Sequence, residues 1–193
     1  MEESDSNSAP GAGPAAAPTA GQHLDFARPF AGRRHPHGHW LLLRAARAGL
    51  RFEQEPPLLL PLAHEFLRSC AAGQPGRPAS TRLLAPPEPL AALQARFAEF
   101  PGRWFLFSVR APAGEWAALA VVEQVGVQVL RLRAAGGAAR FAALGPLNLL
   151  LEGLHAFGQA SGLRALELRA LNLGEWGGPA GAAYGLTLGS PLL

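Results

Sequence analysis

Lysine is missing from this 193-residue sequence: all 17 cationic side chains are arginine. That absence excludes Schiff-base catalysis, a pyridoxal phosphate anchor and a P-loop lysine. Aspartate is nearly missing too. Asp5 and Asp25 are the only two, so no Asp-rich Ca²⁺ loop or Asp-built Mg²⁺ site can form further along the chain. Cys70 is the single cysteine, which excludes an internal disulfide and a cysteine-based zinc site and points to a reducing compartment. No apolar run reaches the roughly 18 residues of a membrane-spanning helix. The acidic start Met1-Glu2-Glu3-Ser4-Asp5 does not resemble a secretory signal. The expectation is a cytoplasmic protein with no membrane partner.

Charge and composition come next. Seventeen arginines against 14 acids give a net charge of +3. The sequence pI of about 10.3 follows from every cation being arginine. The arginines are scattered rather than clustered, so nucleic acid is not the expected partner. Ala, Gly, Leu, Pro and Arg dominate, a bias that a GC-rich genome produces without reference to function.

Residues 1–32 read as a disordered Ala/Pro/Gly-rich tail and linker, because so few large apolar side chains cannot offset the entropy of folding. The polar lead-in runs on to Gly38. Residues 33–193 read as a single domain. A helix starts near His39 and stops at Gly49. Leu50–Glu55 alternates as a half-buried strand, with Leu50, Phe52 and Gln54 on one face and Arg51, Glu53 and Glu55 on the other. Helices follow over Leu58–Ala72, carrying Leu62, Phe66 and Leu67, and over Pro86–Phe100, whose stripe is Leu90, Leu93, Phe97 and Phe100. Arg103–Ala111, Glu115–Val125 and Val127–Arg133 form an antiparallel meander. A Gly/Ala-rich turn over Ala134–Ala139, a helix over Pro146–Ser161, a strand over Leu163–Leu171 and a short helix over Ala180–Leu186 complete the chain. This order gives an α/β (α+β) fold: a mixed sheet with helices on both faces.

Several residues carry possible chemistry. Arg131, Arg133 and Arg140 lie on one strand and the turn after it, where they can receive phosphate groups or form the solvated face of that strand. The helix opening at Gly145-Pro146 exposes free N–H groups and the positive end of its dipole. Glu123 and Glu167 sit inside apolar strands, where a carboxylate can act as a general base or be satisfied by hydrogen bonds. Tyr184, the only tyrosine, can supply a phenolic proton. His35, His37 and His39 are closely spaced, but Pro36 and Gly38 separate them and no acid is near, so they read as incidental solvated histidines. Cys70 and His64 are six apart and do not share a helix face, so Cys70 reads as a packed thiol.

The run Ala143-Leu144-Gly145-Pro146-Leu147-Asn148-Leu149-Leu150-Leu151-Glu152-Gly153-Leu154, continuing to Ser161-Gly162-Leu163 and the strand Leu166-Glu167-Leu168, resembles the C-terminal region of GNAT-fold acyltransferases of the FemAB-like and CelD-like branch. Phe100-Pro101-Gly102-Arg103-Trp104-Phe105-Leu106-Phe107 and Ala117-Ala118-Leu119-Ala120 are similar to the central hairpin of that group. Arg33-Arg34 with Arg44, Arg47, Gly49 and Leu50 is similar to the basic helix linking tandem halves of FemAB-like proteins.

The resemblance implies one GNAT-like domain over residues 33–193, built on a mostly antiparallel sheet and stopping about where the fold's terminal hairpin begins. It implies an N-acyltransferase moving an acyl group from acetyl-CoA or another acyl-CoA to the amine of a small molecule or peptide. Arg131, Arg133, Arg140, Ala143, Gly145 and Asn148 are then cofactor-binding. Glu123 or Glu167 takes the amine's proton, and Tyr184 protonates the thiolate. FemAB-like members use aminoacyl-tRNA instead. The sequence departs from the branch in three places. Ala143 replaces the middle Gly of the pyrophosphate loop, Tyr184-Gly185 stands where Phe-Lys is usual, and Leu166-Glu167-Leu168-Arg169 stands where Leu-Asp-Leu-Gly is usual. These departures support a second reading, a non-catalytic GNAT-like module that binds or forms a homodimer. RNA contact through Arg131, Arg133 and the N-terminal arginines is the third.

Overall fold

Ten consecutive residues of one strand, Trp116–Val125, explain the layering of the molecule. Their side chains alternate between two cores. Ala118, Ala120 and Val122 pack on one side, and Leu119 and Val121 on the other. A continuous apolar run is what a strand needs when both faces of its sheet are covered. The computed structural model describes residues 22–72, 87–168 and 187–188.

Among the described residues, seven strands make one sheet: β1 (Gln22–Asp25), β2 (Arg51–Glu55), β3 (Trp104–Arg110), β4 (Trp116–Val125), β5 (Val129–Gly137), β6 (Ala165–Glu167) and β7 (Thr187–Leu188). Their order is β2-β3-β4-β5-β6-β1-β7. Only β5 and β6 pair in parallel, across the helix that joins them. The other neighbours are antiparallel. Four α-helices among the described residues cover the sheet: α1 (Pro36–Arg47), α2 (Leu60–Ala72), α3 (Leu90–Glu99) and α4 (Pro146–Ala160). Leu147, Leu150, Leu151 and Leu154 of α4 enter the larger core with Phe107, Leu130 and Leu166, and α1 lies over α4. Leu60, Ala63 and Leu67 of α2 and Leu93 of α3 fill the smaller core on the opposite face. The expected mixed, mostly antiparallel sheet with helices on both faces is what forms.

Several expected elements are placed differently. The lead-in before Gly38 holds β1 and a 3-10 turn at Ala31–Arg33, because Leu24, Phe26 and Phe30 are apolar enough to anchor it in the core. Strand β5 runs through the expected Ala134–Ala139 turn as far as Gly137. Small residues are needed there for packing: a Cβ on Gly136 would meet the Cys70 Cβ at 3.0 Å, and one on Gly137 the Leu147 Cγ at 3.3 Å. Leu62 and Phe100 face solvent, although both lie at helical spacing from buried neighbours. Glu55, expected on the solvent side of β2, is buried. Strand β6 ends at Glu167, and Tyr184, the Ala180–Leu186 helix and the chain's last turn lie outside the described residues.

Candidate functional site

Strand register aligns several polar candidates in one row. Trp104 on β3 pairs with Glu123 on β4, Glu123 with Arg131 on β5, and Arg131 with Glu167 on β6. Residues opposite one another across a ladder point to the same face, here the α2/α3 face. Between Val121 and Val122 the β4–β5 register slips by one residue, so that Val121 faces Ala134 and Val122 faces Leu132. This bulge at Arg133 re-aims its side chain, as bulges do.

The row is an ion-pair network. Arg131 Nε donates to Glu167 Oε2 at 2.7 Å. Arg133 Nη2 lies 2.7 Å from Glu88 Oε1, and its Nε 3.5 Å from Glu123 Oε2. Arg96 on α3 donates to the other oxygen of Glu88 at 3.1 Å. The guanidinium carbons of Arg96 and Arg133 each lie 5.5 Å from the Trp104 ring centre. These side chains are half-buried, a position in which ion pairs are screened less than on the surface. Both candidate bases are held by arginine. To take a proton from an amine, Glu167 has to release Arg131, or Glu123 has to release Arg133.

The start of α4 lies on the other face. A 3-10 turn over Ala139–Leu144 leads to Gly145 at φ +67°, followed by Pro146 at the first helical position. Helix α1 closes on this end. A Cβ on Gly145 would stand 2.7 Å from the Leu41 Cβ. Asn148 is fully buried, and its Nδ2 donates to the Gly38 carbonyl at 3.3 Å. Ala143 is exposed, and Arg140 pairs with Glu115 at 3.0 Å. The residues expected around one diphosphate are therefore separated. Arg131 and Arg133 project from one face of the sheet, while Gly145 and Asn148 sit beneath α1 on the other. The chain crosses to the other face after β5, through the 3-10 turn that leads into α4.

Two further polar sites are not signalled by the sequence pattern. Glu55 on β2 accepts from Ser108 Oγ, from Arg110 through both Nε and Nη2, and from Trp116 Nε1. The only available signal was that a strand of alternating charge ended in a carboxylate. On the outer side of α4, a cavity of about 430 Å³ is lined by Phe30, Arg33, Glu152, His155 and Gln159 among others. His155 Nε2 lies 2.8 Å from the Arg28 carbonyl, and Gln159 donates to the Phe26 carbonyl at 2.8 Å. Arg33 pairs with Glu152. These groups hold the β1–α1 connection against α4.

Cys70 packs as expected. Burial pushes its thiol from the ordinary 9.0 up to about 11, against a smaller lowering by the Ser69 hydrogen bond. The thiolate is the reactive form, so at about pH 8 alkylation in the native protein should be about a hundredfold slower than in denaturant. A maleimide time course measures this. Equal rates would show that the thiol is open.

No protein-family model matches this chain. No curated protein matches it either. Solved structures do. The C-terminal domain of a putative lysylphosphatidylglycerol synthetase from Agrobacterium fabrum superposes with a TM-score of 0.53 at 15% identity, over 78% of this chain and 46% of that one. The structure of L-PGS from Bacillus licheniformis gives a TM-score of 0.56 at 18% identity, over 80% of this chain and 46% of that one. The chain thus spans less than half the length of either. At these identities the likeness is one of fold.

Proposed function

We propose that this chain is an acyl-group-transfer domain of the GNAT-like kind. The observation that carries the reading is the fold shared with two lysylphosphatidylglycerol synthetase structures, whose name describes an aminoacyl lipid. The parallel β5–α4–β6 unit supports it. The parallel ladder covers only Val129–Arg131, while β5 continues to Gly137. Among the described residues, no strand pairs with that side of Leu132–Gly137. An open strand edge offers N–H and C=O groups to an extended, amide-bearing donor.

The donor class separates two versions of the reading. An acyl-CoA needs partners for its diphosphate. The arginines expected to supply them are paired with Glu167, Glu88, Glu123 and Glu115. The start of α4 is covered by Leu41 and Gly38. This favours an aminoacyl ester as donor over acetyl-CoA, with an amine or hydroxyl as acceptor. Calorimetric titration with acetyl-CoA, followed by transfer of a labelled aminoacyl group from charged tRNA, tests both. We expect no heat at millimolar acetyl-CoA, and label moved from the tRNA, which leaves with a free 3′ hydroxyl, onto an added amine or hydroxyl acceptor. Saturable acetyl-CoA binding would restore the acyl-CoA version. Failure of both would sink the enzyme reading and leave the binding module.

A further inference from the structure

The arginines are scattered, but the acids are not. Between Asp25 and Glu53 no acid occurs in 27 residues, while Arg28, Arg33, Arg34, Arg44, Arg47 and Arg51 and three histidines do. This stretch contains α1. Helices α2, α3 and α4 carry Glu65, Glu99 and Glu152 respectively, whereas α1 carries no acid. Among the described residues, Arg28 pairs with Asp25 and Arg33 with Glu152, while Arg34, Arg47 and Arg51 make no ion pair.

The outer surface of α1 also has an ordered pattern. At 100° per residue, Gly38, Leu41, Leu42 and Ala45 form the buried face. Pro36, Trp40, Leu43 and Arg47 form the opposite pole, with Arg44 and the exposed His37 and His39 on its flanks. Trp40 is 47% exposed and Leu43 43%. A helix that met only water would not need a Trp and a Leu there, with Arg47 between them and Arg44 beside the Trp. That combination suits a helix lying in the headgroup boundary, with its indole and leucine among the upper acyl carbons and its guanidiniums on lipid phosphates.

We propose that the outer face of α1 is a docking surface for an anionic lipid bilayer. The chain would lie on the membrane without crossing it: no helix among the described residues is long and apolar enough to span one. RNA would also answer to the positive charge, but it fits this face less well. The Trp40 ring already has His37 stacked at 5.7 Å and the Arg44 guanidinium 4.6 Å from its centre, where a base would need to stack. The exposed Leu43 gains nothing from a base or a phosphate, and does gain from an acyl layer. The inference concerns where the domain sits and does not rest on the transfer reading.

Vesicle sedimentation with the full chain tests it. At about fivefold per arginine, Arg44 and Arg47 together favour phosphatidylglycerol-containing vesicles over pure phosphatidylcholine by about 25-fold at low salt. High salt should remove that preference. Trp40→Glu with Leu43→Glu should lower anionic-vesicle binding at least about tenfold, since it removes the apolar anchor and adds like charge. Arg44→Gln with Arg47→Gln should lower it about 25-fold. Leu62→Glu, on the exposed side of α2, should leave it unchanged. Unaltered thermal melting shows that a variant is folded, and if the acidic pair fails to fold the glutamine pair decides. No sedimentation with anionic vesicles, unchanged binding by the folded variants, or RNA binding lost in Trp40→Glu without vesicle binding by the parent would each overturn the proposal. Vesicle binding that survives a failed transfer assay would separate this inference from the proposed activity.

Discussion

Replacing Glu55 with alanine is expected to destabilise the protein by about 3 kcal/mol, because it leaves buried donors without their acceptor. The carboxylate is 4% exposed. Its Oε1 accepts from Ser108 at 2.5 Å, from Arg110 Nε at 2.6 Å and from Trp116 at 2.9 Å, and its Oε2 accepts from Arg110 Nη2 at 2.8 Å. The donors come from β3 and β4, so one side chain ties the edge strand β2 to two neighbours. Ser108 is fully buried, and Glu55 is the acceptor of its hydroxyl. Arg110 is partly exposed and keeps Glu53 at 3.3 Å, which places the expected cost at the lower end for a broken buried pair.

The same clamp sets a pH dependence. Burial pushes the Glu55 carboxyl up, but the hydrogen bonds from Arg110, Ser108 and Trp116 and the Arg110 charge outweigh it, leaving the group below its ordinary 4.5. A folded-state value below the unfolded one means that the native state binds fewer protons in that window. The stability from this group is complete above about pH 4.5 and is lost as pH falls further. Urea midpoints measured from neutral to acidic pH should therefore drop more steeply for the parent than for Glu55→Gln. Parallel profiles would show that the ionised form gains nothing from folding.

The sequence showed its layers more readily than its pairings. Leucines at helical spacing placed α4, and the apolar run of β4 is legible because both faces of that strand are covered. Leu130 and Leu132 do face away from Arg131 and Arg133, as strand alternation requires. What alternation cannot show is the partner. Glu88 precedes α3 by two residues and meets Arg133 where α3 packs on Trp104 of β3, a ring that Arg133 also reaches. Glu55 could be mistaken for a solvent-facing residue because its three donors are more than 50 residues away in sequence. The end of β5 was hidden for a different reason. A Gly-Gly pair normally marks a turn, yet here Gly136 and Gly137 make room for Cys70 and Leu147. Long-range packing had overridden local propensity. The residues expected around one diphosphate are split in a related way, since the chain passes from β5 to the opposite face of the sheet before α4 begins.

Packing overrides propensity again in α4, and there it yields a prediction of opposite sign to the usual rule. Gly158 lies inside the helix, where glycine costs about 1 kcal/mol relative to alanine. Propensity alone makes Gly158→Ala stabilising. The structure predicts destabilisation by about 2 kcal/mol, the usual cost of forcing a methyl into a filled core. A Cβ at Gly158 would stand 2.2 Å from the Phe26 Cε2 and 2.4 Å from its Cζ. Phe26 is 2% exposed and lies edge-on to His155 with ring centres 5.6 Å apart, so the ring has nowhere to retreat. Gly153 makes a similar approach to Phe52, at 2.2 Å, but Phe52 is only half-buried and can yield toward solvent. Gly153→Ala should therefore cost less than Gly158→Ala. Phe26→Leu should relieve part of the Gly158→Ala penalty, so the double variant is more stable than the sum of the single losses. Urea unfolding of the four proteins gives the coupling directly. A Gly158→Ala protein at or above parental stability would mean that the β1 segment does not hold Phe26 against α4.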